Sequence, residues 1–63
     1  MNLSQREVDL LRLLVSGHTL KSAARDLDIA HSTAKDYAER VRLKMQARSN
    51  MEAVAKAVRA GIA

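Results

Sequence analysis

The sequence predicts an all-α fold: four short helices with a central helix-turn-helix, forming one domain over residues 1–63. Three observations predict it. Apolar residues recur at helical spacing in four separate segments. Ser, Thr and Gly stand where such segments should open and close. No proline, long polar linker or internal repeat interrupts the chain. A chain of this length buries only about 60% of the surface its unfolded state exposes, which makes stability marginal. With no Phe or Trp and one aromatic residue, Tyr37, the core must come from Leu, Ile, Val, Met and Ala. Leucines are expected to supply much of the burial, at roughly 25 cal/mol per Å².

The first helix begins after Ser4, because Ser4 and Glu7 have the spacing of a capping box. Val8, Leu11, Leu14 and Val15 form its apolar stripe, Leu10 broadens it, and Gly17 closes it in the left-handed region. Thr19 caps the second helix, in which Leu20, Ala23, Ala24 and Leu27 recur at i, i+3, i+4 and i+7. That helix is about eight residues long by its pattern and depends on its neighbours. Asp28 and Ile29 form the turn, with Asp28 suited to a left-handed conformation. The third helix begins near His31. Ala30 offers no side-chain cap, so Ser32 is the candidate cap for a slightly later start. Ala34, Tyr37, Ala38, Val41 and Met45 are its inward face. Ser49 and Glu52 form a second capping-box pattern and open the fourth helix, which ends at Gly61. Met51, Val54, Ala55 and Val58 share one stripe there, available to the first helix or to a second subunit. The tight turn between the second and third helices defines the helix-turn-helix arrangement.

The net charge of +4 is unevenly placed. Residues 1–17 and 18–30 are each neutral overall, residues 31–50 carry +3 and residues 51–63 carry +1. A small basic domain with one concentrated basic segment points to a polyanion, most often nucleic acid. The chain lacks cysteine, which excludes disulfides and thiolate chemistry. No apolar run approaches the roughly 20 residues that span a bilayer, and the N-terminal residues, with no cation before Arg6 and with Asp9 and Arg12 among the apolar ones, are not expected to be a secretory signal peptide. The cytoplasm is the expected location. No glycine-rich phosphate loop, metal-ligand cluster or nucleophile–base pair occurs, so neither an enzyme nor a cofactor is expected. His31 and His18 have no cysteine or clustered carboxylates at metal spacing, and His31 reads as a surface residue.

The segments LSQRE (Leu3–Glu7), LLRLLVSG (Leu10–Gly17), STAK (Ser32–Lys35) and EAV (Glu52–Val54), with Lys21, Ala24, Leu27 and Ile29 between them, stand in a specific order and spacing. In that order the whole chain resembles the DNA-binding domain of the LuxR/FixJ/GerE family. The resemblance implies a four-helix domain on promoter DNA, with the third helix in the major groove. It implies that Lys35 contacts DNA, that Asp36 and Glu39 occupy positions that often reach bases, and that Lys21 faces a phosphate. It also implies that Glu7 holds the helices together and that the fourth helix forms a homodimer contact through Met51, Val54, Ala55 and Val58. The sequence departs from the family pattern with Ala34 for valine, Tyr37 for histidine, Asp28 and Gln46 for glycines, Ala30 for serine and Asn50 for arginine.

Beside the resemblance, Ser32 and Thr33 lie where hydroxyls and exposed amides can hold a phosphate or cap a helix. Arg40, Arg42, Lys44 and Arg48 are further basic candidates, with Arg40 and Lys44 the expected phosphate contacts. Their spacing does not bring all four to one side. Three readings of Asp36 and Glu39 remain open: base readout, pairing with Arg40 or Arg42, and docking on a protein. The leading expectation is a sequence-specific transcription regulator that binds double-stranded promoter DNA. The alternative is a small interaction protein that docks on or heterodimerises with another regulator to inhibit it. A regulator or RNA polymerase is a further candidate partner. No receiver or ligand-sensing domain fits in 63 residues. Met1 and the closed fourth helix favour a stand-alone regulator over a fragment.

Overall fold

The computed structural model describes residues 2–62. Four helices follow one another: α1 (Gln5–Val15), α2 (Leu20–Asp26), α3 (His31–Met45) and α4 (Asn50–Ala60). The described residues contain no strand. α1 packs on each of the other three helices, and α3 packs on each of the others as well, whereas α2 and α4 lie apart.

The helix starts follow local chemistry. Ser4 accepts from the Glu7 amide, and Glu7 accepts from the Ser4 amide at 2.9 Å, which completes the capping box. Thr19 accepts from the Ser22 amide at 3.0 Å. At α4 the box is only half made. Ser49 accepts from the Glu52 amide at 3.1 Å, but the Glu52 carboxylate accepts from the Arg48 amide instead of the Ser49 amide. Ser49 has a φ of −148°, against −73° at Ser4, so its own N–H is rotated differently against the helix. Ser32 does not cap α3. The helix already begins at His31, with Ala30 in the extended N-cap position and no side-chain cap. Ser32 lies inside the first turn, beyond the place where a cap side chain can turn back onto N3.

All four helices stop in the same way. The residue after the last turn is left-handed, and its amide and the next one bond back to the preceding turn, as in a Schellman motif. Glycine fills that position at Gly17 and Gly61, but Asp28 (φ 58°) and Gln46 (φ 55°) fill it at the ends of α2 and α3.

Two small cores result. Leu10, Ala23, Ala24, Ala34 and Ala38 form the first, with Leu13, Leu14, Leu20, Leu27, Ile29 and Tyr37 packed against it. Leu11, Val41, Met45, Ala53 and Ala57 form the second, flanked by Leu3, Val15, Ala47 and Ile62. Adjacent leucines of α1 thus enter different cores. α3 contributes its N-terminal half to one and its C-terminal half to the other. Leu10 and Leu11 are the only leucines completely enclosed among the described residues, and alanines line most of the rest. The alanines permit close backbone approach, and the half-buried leucines pack around them. The inward residues of α4 are Ala53 and Ala57. Met51, Ala55 and Val58 are exposed and Val54 is half-buried. Of the two uses expected for that stripe, packing on α1 is not the one made by its exposed members.

Candidate nucleic-acid interface

α3 buries Ala34, Ala38, Val41 and Met45 along one side. At 3.6 residues per turn, the opposite side is the line Ser32, Asp36, Glu39, Leu43, all exposed. Leu43 is 73% exposed, an apolar end to a polar ridge that the inward-face pattern gave no reason to single out. Lys35 and Arg42 run along one flank of the ridge, and Arg40 and Lys44 along the other. The working surface is thus a central acidic line between two basic margins.

These side chains are held to different degrees. Lys35, Asp36 and Glu39 take part in no ion pair and no side-chain hydrogen bond among the described residues. The local pairing of Asp36 or Glu39 with Arg40 or Arg42, one of the three open readings, is not formed. Arg40 lies over the Tyr37 ring, 5.9 Å from its centroid, and Tyr37 rests against the first core. Arg42 is half-buried, with its Nε enclosed and lacking a hydrogen-bond partner.

Lys44 is anchored. Its Nζ donates to Glu7 Oε1 at 2.8 Å. The Glu7 side chain is 2% exposed and that of Lys44 40%. Burial pushes the Glu7 carboxyl up. The Lys44 ammonium and the Ser4 backbone and hydroxyl more than offset this, and Glu7 titrates below the ordinary carboxylate value. One residue therefore caps α1 and ties it to the last turn of α3. Lys56 performs a parallel task from α4. Its Nζ donates to the carbonyls of Met45 and Gln46 at 3.0 and 2.9 Å, placing a cation on the negative end of α3. Lys56 was not singled out from the sequence, since its acceptors are backbone atoms brought near only by the turn between α3 and α4.

At the N-terminal end of α3, Ser32 is exposed and Thr33 half-buried. α3 alone among the four helices has no side-chain acceptor for its first amides. His31 is exposed there. Lys21 is exposed on the first turn of α2. Met51 (84% exposed) and Val58 (55%) stand on the outer side of α4. Met51 and Val54 also border an apolar groove of about 330 Å³, completed by Leu14, His18, Thr19, Leu20 and Asn50.

The model of the family described as "Bacterial regulatory proteins, luxR family" matches residues 1–57, which include all of α1, α2 and α3 and most of α4. The chain belongs to the luxR family. This luxR-family chain is also 44% identical over 61 residues to the transcriptional regulatory protein FixJ of Azorhizobium caulinodans. That alignment covers 97% of the chain and 29% of the relative, so the chain spans less than a third of the relative's length. The family is one of regulatory proteins rather than enzymes. Among the described residues, no helix of the luxR-family domain is long and apolar enough to cross a membrane.

Proposed function

We propose that this luxR-family domain is a sequence-specific, DNA-binding transcription regulator that places α3 in the major groove of promoter DNA. The observation that carries the reading is the exposed half of α3, where Lys35, Asp36 and Glu39 make no bond to other side chains among the described residues while the opposite side is buried in both cores. Family membership and the likeness to a transcriptional regulatory protein support it. Lys35, Asp36 and Glu39 are the proposed base contacts. Lys21, Ser32, Thr33, Arg40 and Lys44 are the proposed phosphate contacts, which position the helix without specifying sequence. Lys44 can serve Glu7 and a phosphate together, because an ammonium has three donors.

We further propose a homodimer through Met51, Val54, Ala55 and Val58. The exposed apolar surface of α4 and its continuity with the adjoining groove support that contact. A two-fold pair would present two α3 helices to half-sites about 34 Å apart. The same surface favours one second reading, in which the partner is a different regulator held in an inhibited mixed dimer. The proposed setting is the cytoplasm.

Titration of promoter duplexes with the native chain, K35A and R40A tests the main reading. Affinity should fall steeply with salt, and both substitutions should weaken binding without changing the circular dichroism spectrum. Unchanged affinity in both variants would refute this interface. For the dimer, sedimentation of the native chain and M51K/V58K is decisive: the native chain should associate on the half-site pair and the variant should not.

A further inference from the structure

We infer that Asp36 and Glu39 read cytosine, by accepting hydrogen bonds from its exocyclic N4 amino group on the floor of the major groove. The inference rests on the DNA-binding reading above. Its starting point is the arrangement on α3: an acidic line centred on the exposed side, with Lys35 and Arg42 on one margin and Arg40 and Lys44 on the other. A helix laid in a groove meets base edges along its centre line and phosphates along its margins. The carboxylates therefore stand toward the bases and Arg40 and Lys44 toward one backbone, while Lys35, on the other margin, has a side chain long enough to turn back onto a base edge.

The carboxylates are available for this task. Asp36 and Arg40 have the i,i+4 spacing, with the acid on the N-terminal side, which favours pairing on a helix. No such pair forms, and Arg40 lies over Tyr37 instead. An ionised carboxylate only accepts hydrogen bonds. The major groove offers amino donors on cytosine and adenine alone, and adenine's N6 adjoins the acceptor N7, which repels a carboxylate. Guanine N7 and O6 and thymine O4 are acceptors as well. Cytosine is thus the base edge that rewards Asp36 or Glu39, and the others are penalised in a field already negative from the phosphates. Lys35 beside them has the complementary preference, for guanine O6 and N7. The half-site should combine a guanine with cytosines at neighbouring steps.

The test is selection of bound duplexes from a randomised pool by the native chain, D36N, E39Q and the double variant. The native chain should enrich cytosine at two positions near an enriched guanine. Replacing the N4 amino group of either cytosine with hydrogen, by incorporating a 2-pyrimidinone nucleotide, should weaken binding about tenfold or more. The amide variants should shift preference at their own position from cytosine toward adenine, since Asn and Gln bond adenine N6 and N7 together. An enriched motif that lacks cytosine, that is indifferent to loss of the amino group, or that is unchanged in D36N and E39Q overturns the inference and leaves DNA binding standing. Tighter binding of every duplex by the variants overturns it too, and marks the acids as repulsive. If no duplex is bound by the native chain, the DNA-binding reading itself has failed.

Discussion

The two halves of α3 are built differently. The N-terminal half is held by apolar packing alone, Ala34 and Ala38 against Ala23, Ala24 and Leu10, with half-buried leucines, Ile29 and Tyr37 around them. The C-terminal half has a larger apolar contribution from Val41 and Met45. It also has two polar ties, Lys44 to Glu7 of α1 and Lys56 of α4 to the terminal carbonyls. One half spends its polar groups on holding the helix and the other leaves them free. A side chain committed internally is less available to a partner, except where, as at Lys44, an ammonium has donors to spare. Anchoring one end and leaving the other unpaired meets both needs on a single 15-residue element.

The strongest way to break that division is L10A. Among the described residues, Leu10 is the only large side chain fully enclosed in the core of the N-terminal half. Its truncation should cost about 2–5 kcal/mol, a large share of what a domain of this size has. Urea unfolding should show a loss in this range, and a cost near zero would mean that the alanines and the half-buried residues around them hold this half without Leu10.

E7Q probes the anchored half and should cost about 1–3 kcal/mol, since it disturbs an enclosed charge-assisted bond. Because folding lowers the Glu7 pKa, its contribution is fully present above the unfolded value, roughly 4.3, and is lost as pH falls through the folded value. Urea titrations of both proteins from neutral to acid pH should therefore converge in acid. A constant gap would show that the charge is not the source.

K56M should cost about 1 kcal/mol through loss of the cation on the α3 C-terminus. Hydrogen exchange should speed up in the last turn of α3 and not around Lys35. Equal acceleration at both ends would mean that the halves are mechanically coupled.

The smallest effect expected is a gain. Q46G and D28G each relieve a side chain held at positive φ and should stabilise by about 0.5–1 kcal/mol. Thermal unfolding should rise by a few degrees in each, one at the foot of each half. A loss in either would show that the side chain makes up for its backbone cost.

Much of this was legible in the residues. Ser4 with Glu7, Thr19, Gly17, Asp28 and Gly61 act within a few residues of themselves, so their spacing is enough to place them. The α3 inward face follows from periodicity for the same reason. Sequence reading missed what depends on competition among equally suitable local partners. Ser32 could have capped a later α3, but the Schellman turn at Asp28 and Ile29 starts the helix at His31. Ser49 and Glu52 have box spacing, yet Arg48 takes the carboxylate. The α4 stripe was visible, but Ala53 and Ala57 were chosen for the interior, because two close-packed neighbours leave room only for methyl groups.

The sequence by itself determined the four helices, their order, most of their ends and the basic weight of the third, since these rest on local hydrogen bonding and periodic burial. Only the tertiary structure decided which charges on α3 are spent and which remain. Glu7 lies 37 residues from Lys44 along the chain, and Lys56 reaches carbonyls 10 and 11 residues away. Electrostatic partners are chosen by distance in space, which the packing of α1 and α4 against α3 sets.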